Sequence, residues 1–165
     1  MKKRFFVILV FLYVGIMLQA QSHKIGEYYG GGIIFSLSAD SLHGFIVENI
    51  DQSKSCNWND ALIAIKEAHN HNEQGKAYTD WRLPTLEELQ TIYKNLKIAQ
   101  LCSANSTIPV CFAGELYWSS SKYIHTNSET GDYEYDFAHY LKFSDGSTNW
   151  TAMGNSMSVR AVREF

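Results

Sequence analysis

Thr79-Asp80-Trp81-Arg82-Leu83-Pro84-Thr85, running into Leu86-Glu87-Glu88-Leu89, decides how this chain folds. Trp81 is a large apolar anchor set between polar neighbours. Pro84 biases Leu83 towards extended backbone and suits the entry to a new element. Thr85 and Glu88 have the spacing of a capping box, in which hydroxyl and carboxylate satisfy the orphan N–H groups of a helix start. Leu86, Leu89, Ile92, Tyr93 and Leu96 then recur at helical spacing, which predicts a helix from Leu86 to about Leu96. Arg82, and further on Arg160 and Arg163, stand among apolar and aromatic residues. A buried guanidinium without a partner is costly, so pairing with Asp80, Glu87 or Glu88 is expected rather than anion recognition.

Upstream, Ile25–Tyr29 and Gly32–Leu37 read as strands around a glycine turn, and Gly44–Glu48 as a third strand. Trp58, Ala61, Leu62, Ile65 and Ala68 fall on one helical stripe, with Asn57 or Asn59 to cap it. His69 to Lys76 reads as a solvated exit; His69 and His71 share no helical face and have no third ligand at zinc-like spacing. Downstream, residues 97–115 read as irregular, Leu116–Ser120 as a strand and Ile124–Tyr135 as a polar loop. Phe137–Phe143 and Thr148–Ala152 form a hairpin through Ser144-Asp145-Gly146, and Ser158–Phe165 closes the chain as a strand. This order is α+β: two helices packed on short antiparallel sheets with long irregular loops. There is no internal repeat and no linker.

The first twenty residues read as a secretory signal, with Lys2, Lys3 and Arg4 ahead of an apolar run from Phe5 to Leu18 and a small residue at Ala20. The run is too short for a comfortable membrane span. An exported protein is expected, in the periplasm, at the outer surface or outside the cell, and no longer tied to the membrane. Residues 21–165 then form a single domain, and 145 residues suffice for a core that buries roughly 68–70% of the chain's surface. Eleven basic residues remain against 17 acidic ones, a net charge of −6. Nucleic acid is not expected as a partner, because no basic stripe is present to release counterions.

Three cysteines are an odd number for an exported protein. Cys102 and Cys111 flank a polar loop, and a local disulfide between them would contribute about 2.5–3 kcal/mol. That leaves Cys56 free beside Trp58. A long-range bridge from Cys56 to either of the others is the alternative.

Three segments, Trp81-Arg82-Leu83-Pro84-Thr85, Tyr117-Trp118-Ser119-Ser120-Ser121 and Val159-Arg160-Ala161-Val162-Arg163, come in an order that resembles the Lcl C-terminal domain family. The set is also similar to the Fibrobacter major paralogous domain. Ile25-Gly26-Glu27-Tyr28-Tyr29-Gly30-Gly31-Gly32-Ile33-Ile34-Phe35 and His43-Gly44-Phe45-Ile46-Val47 fit the same pattern, so the resemblance runs from about Ile25 to Phe165. It implies a fold similar to C-type lectin domains and a binding or adhesive role. Ser144-Asp145-Gly146 leading to Asn149-Trp150 resembles a hairpin of those lectins. Their Glu-Pro-Asn or Gln-Pro-Asp calcium loop is absent. Trp58-Asn59-Asp60 spells their calcium tripeptide but opens the first helix.

No enzyme is expected. The formylglycine-generating relatives of this fold need a reactive cysteine pair near the C-terminus, and the last cysteine here is Cys111. Ser119-Ser120-Ser121 lacks a glycine elbow and an assignable base, so its hydroxyls are expected to bond at the core edge. The surface of interest is Gly131-Asp132-Tyr133-Glu134-Tyr135-Asp136. Extended, it sets Asp132, Glu134 and Asp136 on one side and Tyr133, Tyr135 and Phe137 on the other. Carboxylates accept hydrogen bonds from sugar hydroxyls, and a tyrosine face stacks on a sugar ring. Three carboxylates would also suit Ca²⁺, which takes six to eight oxygens, although no cofactor is required by the preferred reading. A solvated loop with tyrosines covering the core is the plainer alternative. The expected ligand surface is Tyr123, Asp132, Tyr133, Glu134, Tyr135 and Asp136, with Asn149 adjoining. The expected function is a secreted, non-enzymatic module for adhesion that binds a carbohydrate or cell-surface protein. The alternative is a structural or assembly module of a bacterial envelope complex.

Overall fold

The computed structural model describes residues 22–97, 112, 114–126 and 133–165. The strands are β1 (Tyr28–Tyr29), β2 (Gly32–Leu37), β3 (Gly44–Glu48), β4 (Ser53–Cys56), β5 (Leu116–Thr126), β6 (Tyr133–Lys142), β7 (Thr148–Ala152), β8 (Met157–Val159) and β9 (Val162–Glu164). The helices are α1 (Trp58–Lys66) and α2 (Leu86–Ile92), the latter running on into a π-helical turn over Tyr93–Lys97. Two short 3₁₀ turns, Ala68–Asn70 and Gly75–Ala77, lie between the helices. The expected α+β class holds. No described helix is long and apolar enough to cross a membrane.

The strands form two sheets, one in the order β1-β2-β3-β9 and one in the order β4-β8-β5-β6-β7. Gly30 and Gly31 make the two-residue link from β1 to β2, both with positive φ, as a type I′ turn requires. Pairing is antiparallel except for β5 with β8, which run parallel.

Tyr117 and Trp118 are neighbours on β5, and both are fully buried. Successive strand side chains point to opposite faces, so the five-stranded sheet is covered on both sides here. Trp118 packs with Trp58, Ala61 and Ile65 of α1, and with Trp81. Tyr117 packs with Leu89 and Ile92 of α2 and with Leu141 and Phe143. The two helices therefore sit against opposite faces of one sheet.

Asn57 caps α1, its side chain accepting from the Asp60 N–H. Thr85 and Glu88 form the expected capping box. Glu88 also holds Arg82 through two bonds of 2.7 and 2.6 Å. Burial pushes the Glu88 carboxyl up, but Arg82 and the Thr85 N–H outweigh it and hold the group below its ordinary range. Arg163 pairs with Asp80 at 2.8 Å. Arg160, 1% exposed, pairs instead with Asp51, on the turn before β4. The Ser119, Ser120 and Ser121 hydroxyls bond to backbone groups of His139, Pro84 and Leu86.

Four expectations are corrected. Ser53–Cys56 is a strand that sequence reading passed over. The single closing strand over 158–165 is two: β8 joins the five-stranded sheet and β9 the four-stranded one, with Arg160 and Ala161 at the crossing. Much of the expected loop over 124–135 is strand, since β5 reaches Thr126 and β6 starts at Tyr133. His71 is not solvated; it is 5% exposed and sits against Glu48. Cys56 is a free thiol, half-buried, and burial raises its pKa. Cys102 and Cys111, and the bridge expected between them, lie outside the described residues.

Candidate functional site

The β5–β6 hairpin, extended by β7, carries the surface residues that sequence reading singled out. Tyr123 pairs with Phe137, and His139 pairs with Trp150. Pairing and period-two alternation put these four rings on one face. Tyr123 from β5 and Trp150 from β7 meet above β6 as a parallel stack, 4.3 Å between centroids and 11° between planes. His139 presents its edge to Tyr123 at 5.5 Å, and Phe137 its edge to Trp150 at 5.3 Å. All four are half-buried. The result is a rigid aromatic ridge, and such packing is worth about 0.5–1.5 kcal/mol per ring pair beyond area burial.

The other face of the same hairpin is polar. Lys122 and Asp136 adjoin Tyr123 and Phe137 in sequence, so they point the opposite way. Both are exposed, and they line a cleft of about 640 Å³ with Asn57, Trp58, Asn59 and Asp60 at the start of α1 and with Met153 and Gly154. The Lys122 ammonium lies 5.1 Å from the centre of the Trp58 ring.

The expected ligand residues are therefore split. Tyr123 lies on the ridge, whereas Asp136 lies in the cleft. Asn149 is exposed opposite Tyr140, on the face away from Trp150, and its side-chain oxygen accepts from the Trp150 N–H. Tyr133 and Glu134 are strand residues paired with Thr126 and His125, and Tyr135 follows them in β6. The side chains of Tyr133, Glu134 and Tyr135, and the whole of Asp132, lie outside the described residues. Of the carboxylates expected to line up for Ca²⁺, only Asp136 can be placed. Among the described residues no three His, Cys, Asp or Glu side chains gather to hold a metal ion.

Sequence reading missed the ridge's Trp150, His139 and Phe137 as site residues, and it missed Lys122. The signal was there for the rings: Phe137, His139 and Trp150 alternate with buried or polar neighbours on adjacent strands. Trp150 is half-buried.

Two helices on opposite faces of a central sheet, a second small sheet and a long hairpin bearing aromatic and polar surfaces define a lectin-like domain of the binding type. The family model of the Lcl C-terminal domain matches residues 36–163, and the chain belongs to that family. The match starts inside β2, so the glycine turn before it lies upstream of the matched region. No curated protein matches the chain.

Proposed function

We propose that this protein is an exported, non-enzymatic binding module whose ligand is a carbohydrate at the cell surface or in the envelope, held on the aromatic ridge. The observation that carries this reading is the parallel stack of Tyr123 and Trp150, framed by Phe137 and His139. A preformed apolar ridge suits the C–H face of a sugar ring, because its side chains lose little further freedom on binding. Tyrosine, tryptophan and histidine also bring polar edges to meet hydroxyls. Export rests on the basic and apolar leader over residues 1–20, removed after Ala20.

A glycan array probed with the exported chain tests this. Retention of one glycan class is expected, and it should vanish when Tyr123 and Trp150 are both replaced by Ala. The half-buried positions of both rings limit the accompanying loss of melting temperature. Retention on no glycan, or retention unaffected by the double variant, refutes the reading.

A second reading, an assembly module that binds a protein partner, is favoured by β7. It is the last strand of its sheet, and among the described residues nothing pairs with its outer edge. Such an edge can accept an added strand. Capture of a single protein partner, with no glycan retained, would select that reading.

A further inference from the structure

The cleft on the polar face is a built feature, separate from the ridge. The Asp136 carbonyl accepts from the Met153 N–H at 2.7 Å, and the Met153 carbonyl accepts from the Trp58 N–H at 3.0 Å. The Trp58 indole N–H is fixed on the Ser119 carbonyl at 2.8 Å. Sheet and helix are thus tied together across the floor, which Trp58 and Met153 make apolar. Asn57 and Asp60 hold each other at the rim through bonds of 2.7 and 2.9 Å.

Lys122 pairs with Ala138, and Asp136 is two residues further along the same face. Such diagonal neighbours are about 7–8 Å apart, within reach of a long side chain. Opposite charges so placed would ordinarily close on each other. Among the described residues no ion pair joins Lys122 to Asp136 or to Asp60, and the ammonium group lies over the Trp58 ring instead. The cleft therefore offers one positive group, Lys122, and two carboxylates, Asp136 and Asp60, above an apolar base, and Asp60 is already held by Asn57. The volume falls in the range of about 300–1,000 Å³ typical of small-ligand sites.

We propose that this cleft binds a small zwitterion of the amino-acid or short-peptide class, with its ammonium group on Asp136 and its carboxylate on Lys122. A dipeptide is of matching size, since two extended residues span at most about 7 Å, close to the separation usual for diagonal neighbours on paired strands. Charge-assisted hydrogen bonds at both ends are the strong kind. The ridge plays no part in this site, so the two proposals stand or fall separately.

Titration of the exported chain with L-alanyl-L-alanine, followed by amide chemical shifts at low salt, is the test. Saturable binding with shifts at Trp58, Lys122 and Asp136 is expected. N-acetylation or C-amidation of the dipeptide should each weaken it about tenfold or more, as loss of one charged contact would. Lys122→Gln and Asp136→Asn should each do the same. Amidation should then have no further effect in Lys122→Gln, nor acetylation in Asp136→Asn. Both residues are exposed, so the variants should melt like the parent; if either does not, the blocked dipeptides decide alone. Absence of binding at tens of millimolar, or blocked forms that bind as well as the parent dipeptide, overturns the proposal.

Discussion

Glu48 offers the sharpest test of how this fold is held. It is fully buried, and its carboxylate meets His71 Nδ1 at 2.5 Å, Gln52 Nε2 at 2.7 Å and the Asn72 N–H at 2.6 Å. His71 Nε2 faces the Ile65 carbonyl at 2.8 Å and must donate to it. One proton therefore lies between Nδ1 and the carboxylate. Replacing His71 by Ala removes one partner of a buried pair, which costs about 3–5 kcal/mol where Glu48 is ionised. For a chain of this size each kcal/mol moves the melting temperature by about 2–4 °C, so a fall of about 6–20 °C is expected. The pH dependence has a definite sign. Burial raises the Glu48 carboxyl above its ordinary range, against the opposing pull of the Asn72 N–H, His71 and Arg160. The folded state then keeps a proton that the unfolded chain gives up. This contribution is fully present below the ordinary glutamate value of about 4.3 and is lost as pH rises through the raised value. Between the two, stability falls by up to about 1.4 kcal/mol per pH unit. Urea unfolding of the parent, His71→Ala and Glu48→Gln across this range measures it. Glu48→Gln should remove that part of the slope, and the His71→Ala penalty should shrink in acid, where a neutral Glu48 leaves no charge unpaired. Parallel pH curves for parent and Glu48→Gln would refute the reasoning, as would a His71→Ala protein that melts with the parent.

Trp81 is 1% exposed, stacks on His71 at 5.4 Å and donates its indole N–H to the Gly75 carbonyl at 2.9 Å. Trp81→Ala should cost about 3–5 kcal/mol in thermal unfolding, and a variant that melts with the parent would remove Trp81 from the core. Gly31 has φ +89°, and a Cβ there would lie 2.7 Å from the Gly75 backbone. Gly31→Ala should therefore destabilise by more than about 1 kcal/mol, through strain as well as the clash; chemical denaturation at unchanged stability would contradict that.

The framework was legible wherever local chemistry decides it. Thr85 and Glu88 cap α2, Asn57 caps α1 and Gly146 takes positive φ in its hairpin, because each satisfies a requirement set within a few residues. What stayed hidden depends on distant partners. His71 reads as polar, and its burial depends on Glu48, 23 residues upstream, together with the Ile65 carbonyl. Ser53–Cys56 is too polar to read as a strand, yet it pairs with β8 more than 100 residues later. The run from Ser158 to Phe165 looks continuous, and nothing within it says that Arg160 turns inward to Asp51 while the backbone changes sheets.

The site shows the same division at finer scale. Sequence reading grouped Tyr123, Asp136 and Asn149 as one surface because they are polar or aromatic and close in the chain's last third. Period two separates Tyr123 from the other two, since residues next to each other on a strand face opposite ways. Which way is set by register, and β5 departs from regular pairing between Trp118 and Lys122 and again between Tyr123 and His125. One residue of slip would exchange Lys122 for Tyr123 and merge ridge with cleft. The pairing of Lys122 with Ala138 prevents it, because fully buried Ala138 must face the core. A small apolar residue on the central strand thus decides that the hairpin offers rings on one side and charges on the other. An Ala138 substitution that shifts register should therefore disturb both surfaces together, whereas changes at Tyr123 or Lys122 should each disturb only one.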